Sequence, residues 1–164
     1  MYFDKFIGID WSGDKNSFQK GISVAECIKG NKVPQIVKPL DYKYWTRTTL
    51  IEWLYKEIKS QRNLIGFDFA FSYPFYDRCS YFPGIKDSPI NSKKLWKLIE
   101  DTNTDAKNFY GGEIWASKTY GKFFNSPKHK GSYFASRRRC TERFAKEKIL
   151  SPSPTFNCVG PGAV

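Results

Sequence analysis

Two short apolar runs, each closed by an aspartate, constrain this chain more than any other feature. Ile7-Gly8-Ile9-Asp10 and Ile65-Gly66-Phe67-Asp68 repeat one pattern: apolar residue, glycine, apolar residue, acid. Runs of this length are too brief for a typical helix and read as buried strands, the first followed by the tight turn Asp10-Trp11-Ser12-Gly13. Ser17 to Ile28 is strand-like, with Ile22 and Val24 facing inward and Cys27 a weaker third. Gly30-Asn31 supplies a turn and Val33 to Val37 the next strand, which makes an antiparallel meander. Thr48 to Ser60 then carries Leu50, Trp53, Leu54, Glu57 and Ile58 at helical spacing, with Thr48 or Thr49 as the cap. A helix between strands calls for a crossover, so the strand ending at Asp68 is expected parallel to its predecessor.

Beyond Asp68 the pattern loosens. Phe69 to Pro89 is aromatic-rich, broken by Pro74, Pro83 and Pro89, and reads as an ordered loop region. Ser92 to Asp101 predicts a helix with Leu95, Trp96 and Ile99 on its apolar side, and a short helix is expected near Gly112 to Ser117. Ser136 to Ile149 predicts a longer one, capped by Ser136 and packed through Cys140, Phe144 and Ile149. Ser151-Pro152-Ser153-Pro154 breaks it, and Thr155 to Val159 reads as a final strand. The fold class is α/β. Residues 1–164 suit a single domain, and the loop-like ending Gly160-Pro161-Gly162-Ala163-Val164 suggests a chain shortened relative to a complete one.

Several classes are disfavoured. No apolar stretch approaches the roughly 20 residues of a membrane helix, and the start lacks a secretory pattern, so a cytoplasmic protein with no membrane partner is expected. Cys27, Cys79, Cys140 and Cys158 lie far apart without a Cys-x-x-Cys pair, which predicts reduced thiols rather than zinc or a disulfide framework. His129 is the single histidine and sits in a loop-like stretch without a nucleophile elbow, which argues against a Ser-His-Asp triad. The net charge of +11 favours a polyanionic partner such as nucleic acid, or an acidic membrane surface, against the ordinary reading of a solvated basic face. From Lys118 to Lys148 ten Lys or Arg residues stand against two acids, Glu142 and Glu147.

The aspartates carry the chemical expectation. Ligands of open α/β sheets bind at the carboxyl ends of strands. If the strands of Asp10 and Asp68 are neighbours, the two carboxylates lie close together on a buried edge and resist joint ionisation. A divalent cation relieves that repulsion, and oxygen donors suit Mg²⁺ or Mn²⁺. Metal bound there can activate water for phosphodiester cleavage. Against this stands an ordinary use of strand-end aspartate, the capture of backbone amides in turns and caps.

A third acid is needed. Glu142, within Arg137-Arg138-Arg139-Cys140-Thr141-Glu142-Arg143, is the candidate, with Arg138, Arg139 and Arg143 as phosphate partners. Its bland alternative is surface pairing with Arg138 or Arg139. Glu113 is a weaker substitute. Ser12 and Ser72, each following an Asp motif, are candidates for placing phosphate or water. The aromatics after Asp68 suit base stacking, though core packing is their commoner use.

In order, the strings FIGIDWSG, LIGFDFAFSYP, RRRCTER and SPTFNCVGPGAV resemble the DUF429 family of predicted nucleases. The resemblance spans nearly the whole chain. It implies an RNase H-like fold, a mixed sheet in which the strand of Asp10 pairs with the parallel strand of Asp68, and helices flanking it. It also implies a Mg²⁺-dependent phosphodiesterase with Asp10, Asp68 and Glu142 as metal-binding and catalytic acids, and Arg138 and Arg139 nearby. Family members continue beyond the GPGAV-like loop, so a further carboxylate is expected there in them. Two other readings compete: a catalytically silent nucleic-acid-binding module, and a fragment of an actin-like or sugar-kinase-like ATPase. The ATPase requires two duplicated halves, more than 164 residues supply.

Overall fold

Strand β1 (Lys5–Asp10) alternates strictly, with Lys5, Ile7 and Ile9 on the buried face and Phe6, Gly8 and Asp10 on the other. The computed structural model to which it belongs describes residues 2–30, 32–68, 72–126 and 129–134. Strand β2 (Ser23–Ile28) pairs antiparallel with β1, and β3 (Gln35–Val37) antiparallel with β2. After helix α1 (Arg47–Ser60) comes β4 (Asn63–Asp68), which returns parallel to β1. The sheet order is β3-β2-β1-β4: a meander, then one parallel strand. The protein is therefore mixed α/β.

The expected parallel direction of β4 holds, since β1 and β3 both run that way. Its neighbour is β1 at the far side of the meander, however, and not β3. β2 is also shorter than expected: Ser17 to Ile22 lies outside it, with Gln19 forming an isolated bridge to Trp45. Ile22 and Val24 are buried as expected, but Cys27 follows the outward alternation of Phe6, its cross-strand partner.

Helix α1 begins one residue early because Thr46, not Thr48 or Thr49, is its cap. The Thr46 hydroxyl accepts from the Thr49 amide at 3.0 Å, while the Thr49 hydroxyl accepts from the Thr46 amide at 3.0 Å. At the other end the Asn63 side chain donates to the freed carbonyl of Glu57 at 2.7 Å. Leu50 and Leu54 pack with Ile7, Ile9, Ile22, Val24 and Trp45 against one face of the sheet. Ile58, expected on this stripe, is 56% exposed, because the inward row runs Arg47, Leu50, Leu54, Glu57.

Glu57 has a partner that explains its place. Lys5, buried at the start of β1, donates to Glu57 at 2.8 Å and to Glu26 of β2 at 2.9 Å, tying helix to sheet. Burial opposes the ammonium charge, but the hydrogen bonds to Glu57 and Glu26 outweigh it and hold the Lys5 pKa above its ordinary 10.5. A raised folded value means that this stabilisation is complete below pH 10.5 and is lost as pH rises through the folded value. Urea unfolding should therefore show wild type losing more stability than Lys5→Met between neutral and strongly alkaline pH. Parallel losses in the two proteins would contradict the assignment.

The described chain clusters into two compact units. Met1–Phe69 with Lys107–Phe109 forms the first, and Ala70–Ala106 with Tyr110–Val164 the second. The second holds its own core of Tyr73, Tyr81, Phe82, Leu95, Ile99, Ile114, Phe123 and Phe124. Helix α2 (Ser92–Thr102), capped by Asn91, supplies Leu95 and Ile99, whereas Trp96 sits one position off that stripe and is 37% exposed. The short helix expected near Gly112 is a 3₁₀ segment, Gly111–Ala116. A small hairpin of β5 (Asn125–Ser126) and β6 (His129–Lys130) follows. The helix expected at 136–149 and the strand at 155–159 lie outside the described residues. No helix among the described residues is long and apolar enough to cross a membrane.

Candidate metal centre

The two aspartates meet in register. Along β1 and β4, Gly8 pairs with Gly66 and Asp10 with Asp68. Parallel neighbours are about 4.8 Å apart, and partnered residues project to the same side. Both carboxylates thus stand on the face opposite α1, at the carboxyl ends of adjacent strands. Behind them Trp11 and Phe67 meet edge to face at 6.1 Å, which fixes the two strand ends against each other.

The expected buried edge is a point of correction, since Asp10 and Asp68 are exposed. Water can reach both groups. The cap alternative also lacks support among the described residues, where neither carboxylate has a hydrogen bond or ion pair. Asp14 takes that role instead, accepting from the Asn16 amide at 3.0 Å, and these contacts hold its pKa below the ordinary carboxylate value. An open depression of about 560 Å³ lies beside the pair, floored by Gly8, Gly66 and Ala25 and walled by Ile36 and Ser23. Ser23 is the antiparallel partner of Asp10, a neighbour that residue spacing does not reveal, because it depends on strand register.

The loop after β1 is held by one side chain. Arg47 is 4% exposed; its guanidinium donates to the carbonyls of Ser12 and Asp14, each at 2.8 Å, and of Asn108 at 2.7 Å. It also lies 5.7 Å from the Trp11 ring centroid. Ser12 is drawn into this framework, with its hydroxyl accepting from the Asp14 amide at 3.2 Å. Arg47 was invisible as a positioning residue in sequence, where it looks like a polar residue at a helix start.

The remaining candidates fall elsewhere. Ser72 belongs to the second unit, and its hydroxyl donates to the Tyr73 carbonyl at 3.1 Å. Glu113 is also in the second unit, beside Asp101, Asp105, Thr102 and Thr104. Of the aromatics after Asp68, Tyr73, Tyr81 and Phe82 are core residues, Phe75 packs against them, and Tyr76 is 93% exposed. Cys27 and Cys79 are free thiols. Glu142, Arg138, Arg139 and Arg143 lie outside the described residues. Among those described, no three His, Cys, Asp or Glu side chains are grouped to hold a metal.

No family model, curated protein or solved structure matches this chain.

Proposed function

We propose that the chain is a metal-dependent nuclease, hydrolysing phosphodiester bonds of DNA or RNA at Asp10 and Asp68. The observation that carries this reading is the in-register placement, at adjacent parallel strand ends, of two carboxylates without a bond among the described residues. Two hard oxygen donors on one face, beside a floor of Gly8, Gly66 and Ala25, fit a small octahedral cation that keeps several waters. The order β3-β2-β1-β4 supports an RNase H-like arrangement and with it the DUF429 resemblance.

When bound, Mg²⁺ or Mn²⁺ supplies Lewis-acid stabilisation of phosphoryl oxygens and a more acidic water. Asp10 and Asp68 would be the residues that hold the cation. The DUF429 resemblance makes Glu142 the further acid to test by substitution, with Arg138, Arg139 and Arg143 as the candidate phosphate partners. Ser12, in the turn after Asp10, is the hydroxyl assigned to phosphate or water, and Ser23 joins it because it flanks Asp10.

Calorimetric titration with Mg²⁺ or Mn²⁺ tests the centre. Wild type should bind the ion, and Asp10→Asn should lose on the order of 100-fold in affinity. Equal binding by both proteins would refute the site. The pair of acids without a third among the described residues favours one second reading, a non-catalytic nucleic-acid-binding module. Nucleic-acid binding that survives EDTA, with no cleavage under any divalent cation, is its signature.

A further inference from the structure

Helix α1 carries more apolar surface than the sheet covers. Leu50 and Leu54 are buried against the sheet, yet Ile51, Tyr55 and Ile58 are all exposed, Tyr55 by 63%. These three recur at i, i+4 and i+7, which aligns them in one row along the helix. Exposed apolar side chains scattered singly need no explanation. A row of them at helical spacing is the pattern of a helix that packs against another element.

The row has a definite place in the first unit. On the opposite flank of the helix, Trp53 meets Trp45 at 5.8 Å between ring centroids, and the Trp45 carbonyl accepts from the Gln19 amide on the approach to β2. Ile51, Tyr55 and Ile58 therefore look away from β2, toward the β4 side of the order β3-β2-β1-β4. On that side Ile65 of β4 is only half-buried, although it belongs to the α1 face of the sheet. Apolar surface is thus left along one border of the unit.

The charges beside the row select what fits it. Glu52 and Lys59 are exposed and stand two helical turns apart on the same solvent-side border of the row, one near each end. Neither has a hydrogen bond or ion pair among the described residues. When two identical helices pack antiparallel about a two-fold axis, equivalent borders meet. Ile51 then lies against Ile58 of the second copy, Tyr55 sits near the axis, and Glu52 stands beside Lys59 of the second copy at both ends. The border is complementary to itself reversed.

We infer that α1 is a self-association face, through which two copies of this chain join by antiparallel packing of their α1 helices. Two turns of helix per copy, with the border of β4 beside them, make a weak, micromolar dimer rather than an obligate one. The contact uses neither acid of the strand-end pair, so it is independent of the nuclease reading.

Sedimentation velocity of the full chain in EDTA, from about 1 to 100 μM, tests it and should show a monomer–dimer equilibrium. Tyr55→Glu should abolish the dimer, because it sets two like charges across the axis. The site is exposed, so helix content by circular dichroism should not change. Glu52→Lys and Lys59→Glu should each weaken self-association on the order of fivefold. The double variant should recover the wild-type constant, since the exchanged charges still meet, and general adhesion of a basic protein gives no such rescue. A wild type that stays monomeric throughout overturns the inference, whatever else covers the row. So does normal dimerisation of Tyr55→Glu, or a double variant no better than the single ones. Asp10→Asn should dimerise like wild type, which separates this result from failure of the metal centre.

Discussion

Asp10→Asn and Asp68→Asn should each slow metal-dependent cleavage of a nucleic-acid substrate by about 10²- to 10³-fold at saturating Mg²⁺. The double variant should be little worse than the poorer single one. Two ligands of one cation act as a unit, and removal of either forfeits most of what the ion contributes. Losses that multiply would mean that the two acids act separately. Full activity in either variant would end the proposal. Stability offers an internal control, since neither carboxylate bonds to the described backbone. In EDTA both asparagine variants should melt within about 1 °C of wild type. An aspartate serving as a turn former would instead unfold early when replaced by alanine.

Arg47→Met should be the most damaging change to the first unit that leaves its apolar volume intact. Methionine retains the aliphatic stem but orphans three carbonyls, those of Ser12, Asp14 and Asn108. Hydrogen bonds to a charged donor contribute about 1.5–3 kcal/mol each when buried, and partial hydration of the exposed loop lowers the sum. A net loss of about 3 kcal/mol is expected, or about 6–12 °C in melting temperature for a chain of this size. Differential scanning calorimetry measures it. A shift of 1 °C or less would show that water replaces the guanidinium without penalty. Because the same carbonyls position the turn after Asp10, Arg47→Met should also weaken metal affinity, an effect that a purely distant core substitution would not produce.

Where the chain follows a period, its sequence discloses its structure. The two short apolar runs do mark β1 and β4, although only alternate residues face inward and Phe6 and Leu64 are 41% and 47% exposed. Leu50 and Leu54 mark the inward row of α1. The failures have physical causes. Thr46, Thr48 and Thr49 can all cap, and only the reciprocal bonds between Thr46 and Thr49 decide the matter. The inward row of α1 is polar at both ends, Arg47 and Glu57, so an apolar pattern mistakes Ile58 for a member. In the second unit, aromatic residues on turns build the core, and Cys79 there, like Asn108 and Phe109 of the first unit, adopts a left-handed φ that spacing does not reveal. As for the candidate site, each aspartate was legible singly. Their shared row, their exposure and the flank of Ser23 depend on strand register, which only the folded chain supplies.

The glycines beneath the aspartates have one more implication. Neither has a positive φ, an added Cβ at Gly8 would touch nothing within 4 Å, and one at Gly66 would reach only the Ile7 carbonyl at 4.0 Å. The described scaffold itself could accept alanine at both, and the stiffer unfolded chain would favour it by several tenths of a kcal/mol. A methyl group's worth of headroom has been kept where folding did not ask for it. If the pair holds a cation as proposed, a substitution at Gly8 or Gly66 scored only by melting temperature would choose the wrong residue.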